Sequence, residues 1–336
     1  MHLLREISEK IDRKQDLFAL LTAEGNLQQE LFARAREVRR QHQGGEVLLR
    51  AVVEISSHCQ KNCSYCTMRS ANKSLDRYSL HPEEILALAE SIKHAGLETV
   101  FLQGGQNPCN DKYLEQVIPV IKHDMHLNVL LCLGERPKAV YQKFAQLGAD
   151  SYILKFETSN PELYQEIAQI PLATRLQCLS WIREAGLKLG TGNIIGLPKQ
   201  TLSTIVGDIN LAQEIRPDFI SCSPFTPGSN TPFQQYPPGS LSLTLNTMAI
   251  YRILLPTALI PSVSALETPQ KGGQLMGLDA GANVMTINFT PKDKRDFYKI
   301  YTEKRFIVST EHALQTVRKA GLRASVNGFT SIARDA

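Results

Sequence analysis

Long apolar runs are missing from this chain. None approaches the roughly 18 to 20 residues that a membrane-spanning helix needs, so no membrane-embedded segment is expected. Charge of one sign is also scarce. The formal net charge is +4 over 336 residues, without a block of like charges, and gives no reason to expect nucleic acid or an acidic membrane surface as a partner. The opening stretch MHLLREISEKIDRKQDLFALL has neither an uninterrupted apolar core nor a small-residue cleavage site, so a secretory signal is not expected. Cysteine is sparse, and its number, seven, is odd. That usage without an export signal points to the reducing cytoplasm, where clustered cysteines bind metal or do chemistry more often than they pair. Low-complexity stretches, linkers and internal repeats are absent too.

What is present is an ordinary globular composition, 43% apolar and 21% charged, enough for a sizeable core. Residues 1–45 carry apolar positions at helical spacing, closed by Gly44 and Gly45. A rhythm follows. Short apolar or β-branched runs occur at LLRAVVEIS, ETVFLQ, LNVLLCL, SYILKF, LKLGTGNIIG, PDFISCS, ALIPSVSAL and ANVMTI. Between most of them lie helical stretches with start and stop signals, such as HPEEILALAESIKHAG, NPELYQEIAQ and ATRLQCLSWIREAG. Strand and helix alternating about eight times predict an α/β fold, a (β/α)8 TIM-type barrel, with a doubly wound open sheet as the alternative. The expected division is an N-terminal helical segment (1–48), the barrel (49–304) and a short C-terminal closing segment (305–336).

Three of the seven cysteines, Cys59, Cys63 and Cys66, stand in a C-x3-C-x2-C array within ISSHCQKNCSYCTMRS, directly after the first predicted strand. Three thiolates cannot complete a tetrahedral zinc site alone. A zinc reading must recruit Cys109, Cys132, Cys178 or His58. A cubane iron–sulfur cluster normally takes four cysteines, so a three-ligand set suits a cluster whose remaining iron binds a molecule that is not protein.

The array, with Tyr65 before its last cysteine, resembles the signature of the radical S-adenosylmethionine (SAM) superfamily. Other segments agree in order. LQGGQNP follows the second strand, where the superfamily has a Gly-Gly-Glu turn; here Gly104 and Gly105 are followed by Gln106. GTGNIIG places Gly192, Ile194 and Gly196 in a G-x-I-x-G pattern on the fifth strand, although alone it reads as a strand with a glycine bulge. KFETSN, TRLQCL, LGERP, SPFTPGSNTPF, RILLP and DAGANVMTINFTP extend the likeness over residues 45–300. They are similar to the HydE family of iron–iron hydrogenase maturases, in the biotin synthase-like subgroup.

The resemblance implies a 4Fe–4S cluster on Cys59, Cys63 and Cys66, whose free iron binds SAM and cleaves it reductively to a 5′-deoxyadenosyl radical. It implies SAM contacts from Tyr65 (adenine), Gly104, Gly105 and Gln106 (amino group), Glu157 (ribose), Arg175 (carboxylate) and Ile194. Taken alone, Glu157 also fits a helix-capping acid and Arg175 a surface cation. Lys155 stands where the family has an Arg thought to hold an anionic substrate group. It keeps the charge and loses the fork. Cys109, Ser262, Ser264 and Thr268 are candidate substrate-side residues, whereas Cys132 and Cys178 fit ordinary core packing. With Cys222, these leftover thiols leave a second cluster open. The C-terminal stretch FIVSTEHALQTVRKAGLRASVNG has no Cys, so the second cluster of some family members is not expected. Implied partners are a small-molecule or small organometallic substrate, an electron donor such as ferredoxin or flavodoxin, and other maturation proteins. The alternatives are biotin- or lipoyl-type sulfur insertion, methylornithine-type rearrangement, and a non-catalytic iron–sulfur or zinc scaffold.

Overall fold

Among the described residues, seven parallel strands and one bridged segment alternate with helices and join side by side into a ring, and an eighth strand lies outside it. The computed structural model describes residues 14–301 and 305–325, so the outer parts of the terminal segments lie outside the described residues. The strands are β1 (Glu46–Ser56), β2 (Thr99–Gly104), β3 (Asn128–Cys132), β4 (Ser151–Ile153), β5 (Lys188–Ile195), β6 (Phe219–Pro224), β7 (Val284–Asn288) and β8 (Arg323–Ser325). Parallel pairing runs unbroken from β6 back to β1, and β1 pairs in turn with β7.

The seventh ring position is the segment 259–262, reduced to bridges. Leu259 bridges Phe219 of β6, and Pro261 bridges Val284 of β7. The Leu259 amide donates to Asp218 O, and the Ser262 amide to Val284 O, each at 2.9 Å. Pro261 removes an amide donor there, which explains why no full strand forms. The ring is thus complete, and the barrel expectation holds over the open sheet. β8 lies outside it, paired with the first residues of β1.

Alternation along β1 divides its side chains. Val47, Leu49, Ala51, Val53 and Ile55 join the core between strands and helices. Leu48 and Val52 point inward and meet Phe101, Leu130, Ile153, Phe219, Leu259 and Val284 in a separate apolar floor. Every ring position except β5 contributes to that floor; there Gly190 leaves room, since a Cβ would lie 2.5 Å from Ile153 Cγ1. Burying each such side chain contributes about 1.5–3 kcal/mol, and the plug means that only the upper lumen can hold a ligand.

The helices begin as their sequences predict. Pro82–His94 carries a capping box between His81 and Glu84, and Asn160 caps Pro161–Ala168 by accepting from Leu163 N at 2.7 Å. The N-terminal helices Lys14–Leu21 and Gly25–Gln43 lie against helices Leu241–Leu254 and Gly273–Asp279. Gln28 reaches Ser242 and Asn246 at 2.8 Å, and Arg39 donates to Leu278 O and Ala282 O. Among the described residues no helix is long and apolar enough to cross a membrane.

Candidate active site

Because the strands are parallel, their C-terminal ends and following loops converge on one mouth. The cysteine loop leaves β1 there and returns by an antiparallel bridge between Ser56 and Ser79. It has little regular structure, so its carbonyls need other donors. Arg77 supplies them: its guanidinium donates to Ser57 O (2.6 Å), Met68 O (3.0 Å), Arg69 O (2.9 Å) and Asn72 O (3.1 Å). Three neighbours hold the loop from outside. Gln60 N donates to Gln106 O at 2.8 Å, Ser64 N to Ile167 O at 2.8 Å, and Thr67 N to Ile300 O at 3.1 Å. Gly105 is required at the first of these contacts, since a Cβ would lie 2.3 Å from His58 O and 2.8 Å from Cys59 Cβ.

Cys59, Cys63 and Cys66 are all partly exposed. Burial pushes the Cys63 thiol up to about 11, and Cys59 nearby adds to the shift. Burial and then Cys63 and Cys59 push Cys66 higher still. Thiols that oppose one another's ionisation suit a cationic metal group, which stabilises the thiolates together. Among the described residues no three His, Cys, Asp or Glu side chains converge to hold a single ion.

Opposite the cysteines stands Glu157, just beyond β4. Its φ of 63° lies in the left-handed region, uncommon for a non-glycine residue. The strain is held by two backbone bonds to β5: Glu157 N donates to Gly192 O, and Ile194 N to Glu157 O, both at 2.9 Å. Gly192 itself must be glycine, because a Cβ would lie 2.0 Å from Ser221 O. Tyr65 Oη donates to Glu157 Oε1 at 3.2 Å. Glu157 Oε2 makes no hydrogen bond but lies 3.1 Å from Lys155 Nζ, which also donates to Ser223 Oγ at 3.1 Å. Tyr65 packs beside an apolar patch containing Ile194, Leu163 and Phe225. The capping reading of Glu157 does not hold, as Asn160 caps the following helix.

Arg175 is buried rather than a surface cation. Its Nε donates to Tyr164 Oη at 2.6 Å and lies 3.1 Å from Glu135 Oε1. Burial opposes its charge, and Tyr164, Glu135 and Glu157 more than offset that, so its pKa is raised. Glu135 Oε2 pairs with Lys61 Nζ at 3.0 Å. One carboxylate thus links the cysteine loop to Arg175.

Two inward side chains extend the site into the lumen. Arg50, between Leu48 and Val52, is 3% exposed and donates through Nε to Thr286 Oγ1 at 2.9 Å. Its guanidinium lies 4.9 Å from the Phe101 ring centroid, and its Nη1 makes no hydrogen bond. Burial lowers its pKa to about 10. Cys132 rests on the apolar floor, and burial followed by Glu157 pushes its thiol up to about 11. It packs as expected, against the inward-facing cluster.

Four expected substrate residues lie elsewhere or on the margin. Ser262 is 1% exposed and faces the outer helix layer, where Oγ donates to Gln274 O at 2.7 Å. Its register with outward-facing Ile260 explains why. Thr268 and Cys109 are exposed to solvent, Thr268 after a short 3₁₀ turn and Cys109 within one. Ser264 is partly buried, beside the Tyr301 hydroxyl. Cys178 and Cys222 are buried in outer packing, against Arg136 O and Thr244 O. The leftover thiols therefore lie in separate places. Sequence reading missed Lys61, Arg50 and Glu135. The lone charge at an inward position of an apolar strand marked Arg50; Glu135 sat unremarked in LGERP.

Known proteins share the sequence pattern and the fold of this chain. Residues 53–212 match the model of the radical SAM superfamily. The chain is 38% identical to the FeFe-hydrogenase maturase subunit HydE of Thermotoga maritima, over 89% of this chain and 88% of that protein. It is 28% identical to the 3-methylornithine synthase of Methanosarcina acetivorans, over 83% and 80%. The crystal structure of methylornithine synthase shares the fold with a TM-score of 0.84 at 23% identity, covering 96% of this chain and 97% of that one.

Proposed function

This chain belongs to the radical SAM superfamily, and on that premise we propose that it is a maturase acting in assembly of the iron–iron hydrogenase active site. When bound, the superfamily's 4Fe–4S cluster and SAM supply a 5′-deoxyadenosyl radical. The protein's task is to hold them, orient them and exclude water. Cys59, Cys63 and Cys66 hold the cluster. Tyr65, Gly104, Gly105, Gln106, Glu157, Arg175 and Ile194 surround SAM, with Glu157 on the ribose and Arg175 on the carboxylate. Lys155 and Arg50 give the lumen two cations, which suits a small anionic or organometallic substrate. An electron donor of the ferredoxin or flavodoxin kind serves the cluster.

The observation that carries the maturase reading is the 38% identity over 89% of the chain to a maturase subunit. The test is anaerobic reconstitution, iron counting and detection of 5′-deoxyadenosine after reduction, followed by the ability to restore hydrogenase activity in a host lacking its own maturase. The expected result is one cluster, SAM cleavage and restored hydrogen evolution. Cleavage with methylornithine formed from lysine, and no restoration, would move the chain to the rearrangement class. Cys63→Ala should remove both iron and 5′-deoxyadenosine; turnover without iron loss defeats the site assignment.

A further inference from the structure

The superfamily's Gly-Gly-Glu turn ends here in neutral Gln106, and both oxygens of that residue are engaged. Its backbone carbonyl accepts from Gln60 N at 2.8 Å, and its side-chain Oε1 accepts from Glu135 N at 2.9 Å. The amide therefore faces Gly134 and fixes the backbone of Glu135. The rest of that loop is equally constrained. Arg136 holds the Asp111 carboxylate through Nε and Nη2 at 3.0–3.1 Å and donates to Leu133 O at 2.7 Å. Tyr152 Oη donates to Gly134 O at 2.7 Å.

Glu135 carries a carboxylate on this rigid loop. Oε2 is bound by Lys61, which lies between Cys59 and Cys63. Oε1 is buried and makes no hydrogen bond, although Arg175 Nε lies 3.1 Å away. A buried carboxylate oxygen without a donor is unfavourable and marks a position where a ligand donor is missing. Arg175 meets Tyr164 and Glu135 through Nε, which leaves its terminal nitrogens as further donors. An acceptor and a guanidinium fork side by side match the amino and carboxylate ends of an α-amino acid.

We propose that Glu135 Oε1 accepts a hydrogen bond from the α-amino group of SAM, supplying the negative charge that Gln106 lacks. The inference rests on the radical SAM reading. The competing explanation is that Glu135 only ties Lys61 to Arg175.

The test compares the anaerobically reconstituted full-length protein with its Glu135→Gln variant at equal iron content. Equilibrium dialysis measures the affinity of each for SAM and for desamino-SAM, in which hydrogen replaces the α-amino group. Glu135→Gln is expected to weaken SAM about tenfold or more, the worth of a charge-assisted hydrogen bond, and to leave the desamino analogue within about twofold. An equal loss for both ligands makes Glu135 a structural tie and overturns the proposal. Unchanged SAM affinity overturns it as well. A wild-type protein that holds its cluster and binds neither ligand defeats the superfamily reading itself. Should Glu135→Gln not retain iron, Glu135→Asp, which withdraws the carboxylate by one methylene, is judged by the same two affinities.

Discussion

Tyr65 and Glu157 meet across the barrel mouth, the phenol donating to Oε1 at 3.2 Å. The contact joins the cysteine loop to a residue held at a φ of 63°, so the two sides of the proposed nucleoside site are set by one hydrogen bond. Tyr65→Phe removes that bond and keeps the ring beside Ile194. The expected effect is about 1 kcal/mol, roughly fivefold in SAM affinity, with the cluster retained. Titration of reconstituted protein with SAM, followed by the cluster's electron paramagnetic resonance, measures it.

Glycine at position 157 separates strain from function. Left-handed backbone suits glycine, and relief of strain at such a site is worth about 1 kcal/mol or more. Glu157→Gly also removes the Lys155 ion pair, a part-buried contact. The thermal midpoint should stay level or rise while SAM binding is lost. A joint fall of both would make Glu157 structural.

The local signals were legible in the sequence. The cysteine array, the helix caps and the alternation of β1 depend on residues a few positions apart, and each emerged where expected. Contacts between distant loops were not. Lys61 and Glu135 are 74 positions apart, and no local pattern pairs them. Ser262 was misjudged because its strand is only a set of bridges, so nothing in SVSAL revealed which face was inward. Thr268 failed for a related reason: the chain turns into a short 3₁₀ helix at Ser264–Glu267 and carries it out to solvent.

Gly105 tests whether close packing, rather than thiol chemistry alone, determines cluster uptake. Gly105→Ala places a methyl 2.3 Å from His58 O and 2.8 Å from Cys59 Cβ. Backbone must shift, and overpacking of this kind costs about 1–3 kcal/mol. Iron bound per chain after reconstitution should drop well below that of the wild type. Full iron content with unchanged unfolding would show that the loop can move freely.

Asp208 predicts a pH dependence of stability. It is fully buried behind Glu157 and accepts from Ser159 N (2.6 Å), Thr158 Oγ1 (3.4 Å) and Asn193 Nδ2 (3.0 Å). Burial raises its pKa from 3.8 to about 6, despite those donors. A carboxyl whose folded pKa is raised favours folding in its neutral form. Its contribution is complete below about pH 4 and is lost as pH rises through about 6. The difference is of order 3 kcal/mol at most. Asp208→Asn should flatten the slope of unfolding free energy between pH 4 and 7 relative to the wild type; an unaltered slope assigns the titration to other groups.

Glu54 and Arg305 close the opposite rim. Glu54 follows Val52 on the inward face of β1, and its two oxygens meet Arg305 Nη1 and Nη2 at 2.5 and 2.6 Å. The side chains are 4% and 11% exposed, and the guanidinium lies 5.5 Å from the Tyr298 ring centroid. Removing one partner strands a buried charge, at a cost of about 3–5 kcal/mol. Removing both leaves no such charge. Arg305→Met should therefore destabilise strongly, and Glu54→Gln with Arg305→Met should recover a large part of the loss. Denaturant unfolding of the two single variants and the double variant gives the coupling directly. Because the pair is shielded from solvent, the coupling should change little between low and high salt. A coupling near zero, or one abolished by salt, would mean that the C-terminal segment is attached to the barrel mouth by its apolar contacts instead.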